Sequence, residues 1–166
     1  HWVHEGGIAT PLIAHWPARF GAGMTHAPFH VKDVMATCLE AAKAAYPREH
    51  EGREIVPATG ESFLGAAAGA GGTPGAGSGA SASAPGAWLR EQPIFWEHEG
   101  NCAMRDGSWK LVRKYPGEWE LYQMDDDRTE LHDLVAGERD RRGRMVREWE
   151  AWAARSRVLP WPPAGR

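Results

Sequence analysis

Three places along the chain hold side chains whose types and spacing could do chemistry. His1, His4 and Glu5 fall within the first five positions. Imidazoles there could contact a substrate or the groups around it; ordinary loop histidines are the plainer reading. Glu97, His98 and Glu99 form a second polar set, in which alternation along a strand places the two carboxylates on one face and His98 on the other. Paired carboxylates can perform acid–base work or hold a cation. Asp125-Asp126-Asp127 is the third. Each set also has a plainer reading. His4-Glu5 opens an H-E-x-x-H pattern, but Ile8 stands where the second histidine should be; after His98-Glu99 that place is taken by Cys102. Neither is a zincin helix. The aspartate run lacks the alternating ligands, glycine and distal glutamate of a calcium loop, and reads as a solvated turn. Gly6-Gly7 is not followed by Gly-Lys-Ser/Thr, so it serves close backbone approach rather than phosphate binding.

Composition narrows the field further. A formal net charge of -3 gives no global attraction to nucleic acid or an anionic membrane surface. Five arginines between Arg139 and Arg147 interleave with Glu138, Asp140, Glu148 and Glu150, as on a solvated helix face rather than a nucleic-acid stripe. No apolar run reaches the ~18 residues of a bilayer span. Two cysteines, Cys38 and Cys102, support neither a disulfide framework nor a zinc cluster, and both read as buried thiols. Nine tryptophans supply large apolar area to whatever layer they join.

The elements that must position these residues fall into three stretches: 1–64, 65–87 and 88–166. In the first, Ile8 to Trp16 reads as a strand apolar on both sides, ended by Pro17. After a Gly/Pro loop over 18–29, Asp33 opens a helix to about Ala45, with Val34, Cys38, Leu39 and Ala42 on its apolar face. That is one unit of an α/β layer. From Gly65 to Ala87 every residue is Gly, Ala, Ser, Thr or Pro, a low-complexity linker. From Pro93 the period becomes two. Ile94, Trp96 and His98 alternate with Phe95, Glu97 and Glu99, and Trp109, Leu111 and Arg113 alternate with Lys110, Val112 and Lys114. Turn signals at Gly100-Asn101, Asp106-Gly107 and Pro116-Gly117 make a four-stranded antiparallel meander ending at Met124. Glu138 to about Arg157 is an amphipathic helix whose stripe, Met145, Trp149, Trp152 and Ala153, suits one face of that sheet. The fold class is therefore α/β, passing to α+β in the C-terminal part.

Four segments in order resemble type I sulfatases, the arylsulfatases of the alkaline phosphatase superfamily. They are His4-Glu-Gly-Gly-Ile-Ala-Thr-Pro-Leu-Ile-Ala-His-Trp-Pro17; His30-Val-Lys-Asp-Val-Met-Ala-Thr37; Ile94-Phe-Trp-Glu-His-Glu-Gly-Asn101 with Arg105-Asp-Gly-Ser-Trp-Lys-Leu-Val112; and Glu120-Leu-Tyr122 with Glu130-Leu-His-Asp-Leu134. The resemblance implies that the chain is the C-terminal piece of a larger enzyme: the remnant of an α/β catalytic domain over 1–64, and a small sheet-and-helix subdomain over 88–166. The low-complexity stretch between them departs from the family.

What the resemblance implies about chemistry lies mostly outside these residues. Such enzymes hydrolyse sulfate monoesters with a formylglycine made from the cysteine of C-x-P-S-R, and with calcium. Cys38 is followed by Leu-Glu-Ala-Ala and Cys102 by Ala-Met-Arg-Asp, so neither is that cysteine. No catalytic, cofactor-binding or metal residue of the family maps to a numbered position. The sulfate-contacting lysine would align at or just before His1, which puts His1 and His4 in or beside the mouth of the site, and His98 at its rim. A phosphonate or phosphate ester hydrolase of the same superfamily, and a non-catalytic Trp-rich interaction module, are the alternatives. The expected substrate is a sulfate ester, with no nucleic-acid or membrane partner.

Overall fold

The structure is a computed structural model that describes residues 1–65 and 90–162. The linker expected over 65–87 lies, from residue 66 on, outside the described residues. Along the chain the elements are α1 (Glu5–Ile8), α2 (Val31–Ala42), β1 (Glu49–His50), β2 (Arg53–Glu54), β3 (Ile94–His98), β4 (Asn101–Asp106), β5 (Trp109–Arg113), β6 (Trp119–Gln123) and α3 (Arg139–Arg155). They fall into two compact units, His1–Pro11 with Gln92–Arg166, and Leu12–Glu91.

The first unit is built on the expected antiparallel meander, in the order β3-β4-β5-β6. Its register pairs Trp96 with Ala103, Met104 with Leu111, and Leu111 with Leu121. The β3–β4 turn falls one residue earlier than its sequence signal. Glu99 and Gly100 are its two central residues, both at positive φ (53° and 79°), as a tight hairpin with right-handed strand twist requires. A Cβ on Gly100 would also stand 2.8 Å from Tyr115 Cδ2, so no side chain fits there.

Because strand side chains alternate, the sheet has two faces. On one, Cys102, Met104, Leu111, Trp119 and Leu121 pack with Met145, Trp149 and Ala153 of α3. The predicted helix stripe is the one that packs. Phe95 stacks on Trp152 with ring centroids 5.1 Å apart, and Trp119 meets Trp149 edge-on at 5.6 Å. Trp149 Nε1 donates to the Trp96 carbonyl at 3.1 Å, so its one polar atom is satisfied inside the core. Each large side chain taken from water here stabilises the unit by ~1.5–3 kcal/mol. The other face is apolar as well: Ala103, Val112 and Tyr122, with Met124, pack against Val3, with Ile8 and Trp96 beside them. Residues at the start of the chain thus cover the second face of the sheet.

That placement corrects the strand expected over Ile8–Trp16. Glu5–Ile8 is instead a single helical turn, with Gly7 N–H donating to the His4 carbonyl at 2.8 Å and Ala9 N–H to Glu5 at 2.9 Å. Gly7 is required there, because a Cβ would sit 2.2 Å from the Trp2 carbonyl oxygen. Leu12 and Ile13 are exposed. No neighbouring strand pairs with them among the described residues, and an extended segment without a partner leaves its backbone groups to solvent. Pro11 and Pro17 remove two further donors.

In the second unit α2 forms, but it turns inward the face the sequence did not predict. His30 caps it: its Nδ1 accepts from Lys32 N–H at 3.3 Å, while Asp33 Oδ2 accepts from His30 N–H at 2.7 Å. The helix stops at Ala42 rather than Ala45, because Lys43 turns to the left-handed region (φ 53°). Asp33 and Thr37 are buried, whereas Val34, Cys38 and Ala42 are exposed. The expected stripe of Val34, Cys38, Leu39 and Ala42 is therefore not the packed face. Polar groups decide the orientation. Thr37 Oγ1 donates to the Asp33 carbonyl at 2.7 Å and accepts from Phe63 N–H at 3.1 Å. Asp33 Oδ1 accepts from Glu61 N–H at 2.9 Å. Gly60 passes so close to Lys32 that a Cβ would lie 2.2 Å from its carbonyl oxygen. The exposed Cys38 also corrects the expectation of two buried thiols; Cys102 is the buried one. A small hairpin of β1 and β2, with Glu51 and Gly52 at positive φ, was not anticipated.

Candidate functional site

Of the three histidines singled out from the sequence, the structure brings two together. The β3–β4 turn carries His98 and Glu99, and Glu97 Oε1 accepts from Gly100 N–H at 2.8 Å, which fixes the turn. The His1 ring stands edge-on to His98, centroids 5.1 Å apart, and His1 Nδ1 pairs with Glu99. His98 Nδ1 is 4.0 Å from Glu99 Oε2. One donor atom from each of the three residues lies within 4.8 Å of the others. His1 and His98 are exposed and Glu99 is half-buried, so the set faces solvent. Glu97 does not join it, being spent on the turn.

His4 goes elsewhere. Its Nε2 is 3.0 Å from Glu120 Oε2, and the Tyr122 hydroxyl donates to the same oxygen at 2.9 Å. Burial, then the neighbouring Glu120 carboxylate, pushes the Tyr122 hydroxyl well above its ordinary range. Beside this relay lies a buried ion group that sequence reasoning missed. Lys110, fully buried, points its Nζ at Glu5 Oε1 (2.9 Å) and Glu130 Oε1 (2.7 Å). The first is an aligned hydrogen bond; the second is an ion-pair contact without hydrogen-bond alignment. Glu130 Oε2 accepts from the Glu5 N–H at 2.7 Å. The signal was present: Lys110 alternates onto the same face as Val112 and Tyr122, in a sheet apolar on both faces.

The remaining charged sets are structural. Asp127 accepts from the N–H groups of Leu131 (2.8 Å) and His132 (2.8 Å), and Asp125 accepts from the Ser108 hydroxyl at 2.5 Å. The aspartate run is thus a bonded turn. On α3, Arg144 bonds Asp106 and Glu148, and Arg141 bonds Glu138 while its guanidinium lies 4.1 Å from the Trp109 ring centroid. Burial raises the Cys102 thiol above its ordinary range against the opposing pull of Arg113. A shallow cleft lined by Glu118, Trp119, Val135, Ala136, Arg139 and Arg142 contains none of the histidines.

Calcium, implied by the resemblance, does not fit the residues present. It takes six to eight oxygen ligands. Among the described residues, the grouping with metal-ligand spacing offers two imidazole nitrogens and one carboxylate, a donor set suited to softer ions.

No family model matches the chain. An uncharacterized sulfatase of Schizosaccharomyces pombe is 25% identical over 169 residues, an alignment covering 97% of this chain and 28% of the relative. The chain therefore spans little more than a quarter of that relative's length. Among solved structures, Ps i-CgsB superposes with a TM-score of 0.55 over 76% of this chain and 24% of its own, at 20% identity. Its complex with k-i-k-neocarrahexaose overlaps only 39% of this chain, at 28% identity and a TM-score of 0.35. The four motifs, the sequence likeness along nearly the whole chain and the shared sheet-and-helix architecture make this a sulfatase-like chain.

Proposed function

We propose that the chain is the C-terminal part of a sulfuric ester hydrolase of the arylsulfatase type. In this reading residues 1–64 complete the α/β catalytic domain, 65–87 connect, and 88–166 form the C-terminal subdomain. One observation carries the reading: the likeness to a sulfatase runs along 97% of this chain yet takes up only 28% of that protein. The nucleophile and the calcium ligands then belong to sequence beyond these residues, since neither cysteine stands in C-x-P-S-R. In the longer protein a formylglycine would supply the nucleophile and calcium would supply a Lewis acid, both held by residues outside this chain. This chain's contribution is to bind and orient. His1 and His98 lie together on one surface and would face the sulfate ester, where imidazoles can donate hydrogen bonds to its oxygens; His4 is held by Glu120.

The test begins with the coding sequence upstream of His1. The reading expects a lysine just before His1 and C-x-P-S-R further back. The longer protein should then hydrolyse p-nitrophenyl sulfate, while the present 166 residues alone hydrolyse none. Turnover of p-nitrophenyl phosphate or a phosphonate ester in place of the sulfate would transfer the chain to the alternative hydrolases. An upstream sequence without any nucleophile motif would leave the Trp-rich interaction module.

A further inference from the structure

Lysine is almost never fully buried unless its charge is paired, and Lys110 is the largest of the fully buried side chains of the sheet unit. A buried ion pair is seldom the most stable solution; apolar side chains of similar volume often serve as well or better. What such a pair supplies is a fixed arrangement. Here the arrangement joins three distant parts of the chain: β5 through Lys110, the start of α1 through Glu5, and the turn after β6 through Glu130. Glu130 adopts φ 57°, a backbone conformation that side chains rarely take up unless the surroundings demand it. Its carboxylate holds both the ammonium of Lys110 and the backbone N–H of Glu5.

The residues just before Glu5 are tied to the same sheet. His4 bonds Glu120, and Val3 is buried against Ala103, Val112 and Tyr122. His1, which meets His98 and Glu99, is two residues upstream of Val3. We propose that Lys110 is the positioning residue of the His1–Glu5 segment: by gripping Glu5 against Glu130, it makes the C-terminal sheet the scaffold that sets His1 toward the substrate. The substrate-facing half of this statement rests on the sulfatase reading; the grip itself does not.

Amide exchange on the chain as it stands tests the grip. Glu5→Gln leaves Lys110 paired with Glu130, so it loosens the segment without stranding the ammonium. Expected is exchange at least about tenfold faster at Val3 to Ile8, with β4 and α3 unchanged, as for a locally opening segment. Lys110→Met should show the same pattern; should it fail to fold, Glu5→Gln carries the test. Unchanged exchange at Val3 to Ile8, or an even increase across the whole sheet, overturns the proposal. In the longer enzyme, Glu5→Gln should lower kcat/KM for an aryl sulfate by about tenfold, as displaced substrate-facing groups do, at an unchanged melting temperature. Full activity there overturns positioning. Absence of sulfatase activity in the unmodified longer protein defeats the functional reading instead, and the substrate-facing role with it, while the exchange result still judges the grip.

Discussion

Arg90 and Asp33 meet as a two-pronged pair, Nη1 to Oδ2 at 2.5 Å and Nη2 to Oδ1 at 3.1 Å, across 57 positions of sequence. Both side chains are almost wholly buried. Burial alone would raise the Asp33 carboxyl, but hydrogen bonds from Arg90 and from the N–H groups of Glu61 and His30 outweigh it and hold it below its ordinary value of 3.8. A carboxyl depressed in the folded state contributes stability that is fully present above the unfolded value. That contribution is lost as pH falls through the folded one. The second unit should therefore weaken on acidification from pH 5 to pH 3, as followed by urea denaturation. Asp33→Asn should be weaker at pH 7, because it removes the carboxylate from both prongs of a buried guanidinium and leaves it the looser Glu61 pair at 3.6 Å, and flatter with pH. An equal acid loss in both proteins would show that other carboxylates govern it.

The same pair predicts what happens when residues 66–87 are deleted. Glu91 N–H donates to Glu61 Oε2 at 2.9 Å, and Arg90 Nε lies 3.6 Å from Glu61 Oε1. The chain on either side of this stretch is thus already anchored at one place. A shorter loop costs less closure entropy, by ~0.6 kcal/mol per halving. Thermal unfolding of the deleted chain should be no lower than that of the full one. A clear drop would mean that the removed residues contribute contacts of their own.

The two cysteines should part company in a thiol titration. Cys38 is exposed on α2 and should react with a disulfide reagent in the native protein. Cys102 is buried, its thiol is raised by that burial, and it should react only after denaturation. Two fast thiols would indicate that β4 opens readily.

Stability of the sheet unit should depend on the α3 stripe. Trp149 is 7% exposed and spans Trp119, Trp152 and the Trp96 carbonyl. Trp149→Ala should cost ~3–5 kcal/mol. Arg142, expected on the outer face, is half-buried beside Trp119, so the proper comparison is the exposed Arg147. Arg147→Ala should change the urea midpoint little, within ~0.5 kcal/mol. Equal losses for the two would mean that α3 does not pack by this stripe.

The sequence alone determined the meander and the helix that covers it. Period two from Ile94 to Gln123, glycine at turns that need positive φ, and a stripe of Met145, Trp149 and Ala153 are local signals, and each agrees with the next. Tertiary structure decided everything that depends on a partner far along the chain. Ile8–Trp16 has the composition of a covered strand, but a strand exists only where another offers hydrogen bonds. The face of α2 that turns inward was chosen by Arg90 and by the backbone of Glu61 and Phe63, not by its apolar residues. His1 and His98 were separately visible as histidines, and only the β3–β4 turn placed them side by side. Period two places Lys110 on the face of Val112 and Tyr122, but its burial depends on Glu5 and Glu130 arriving from distant segments to balance its charge.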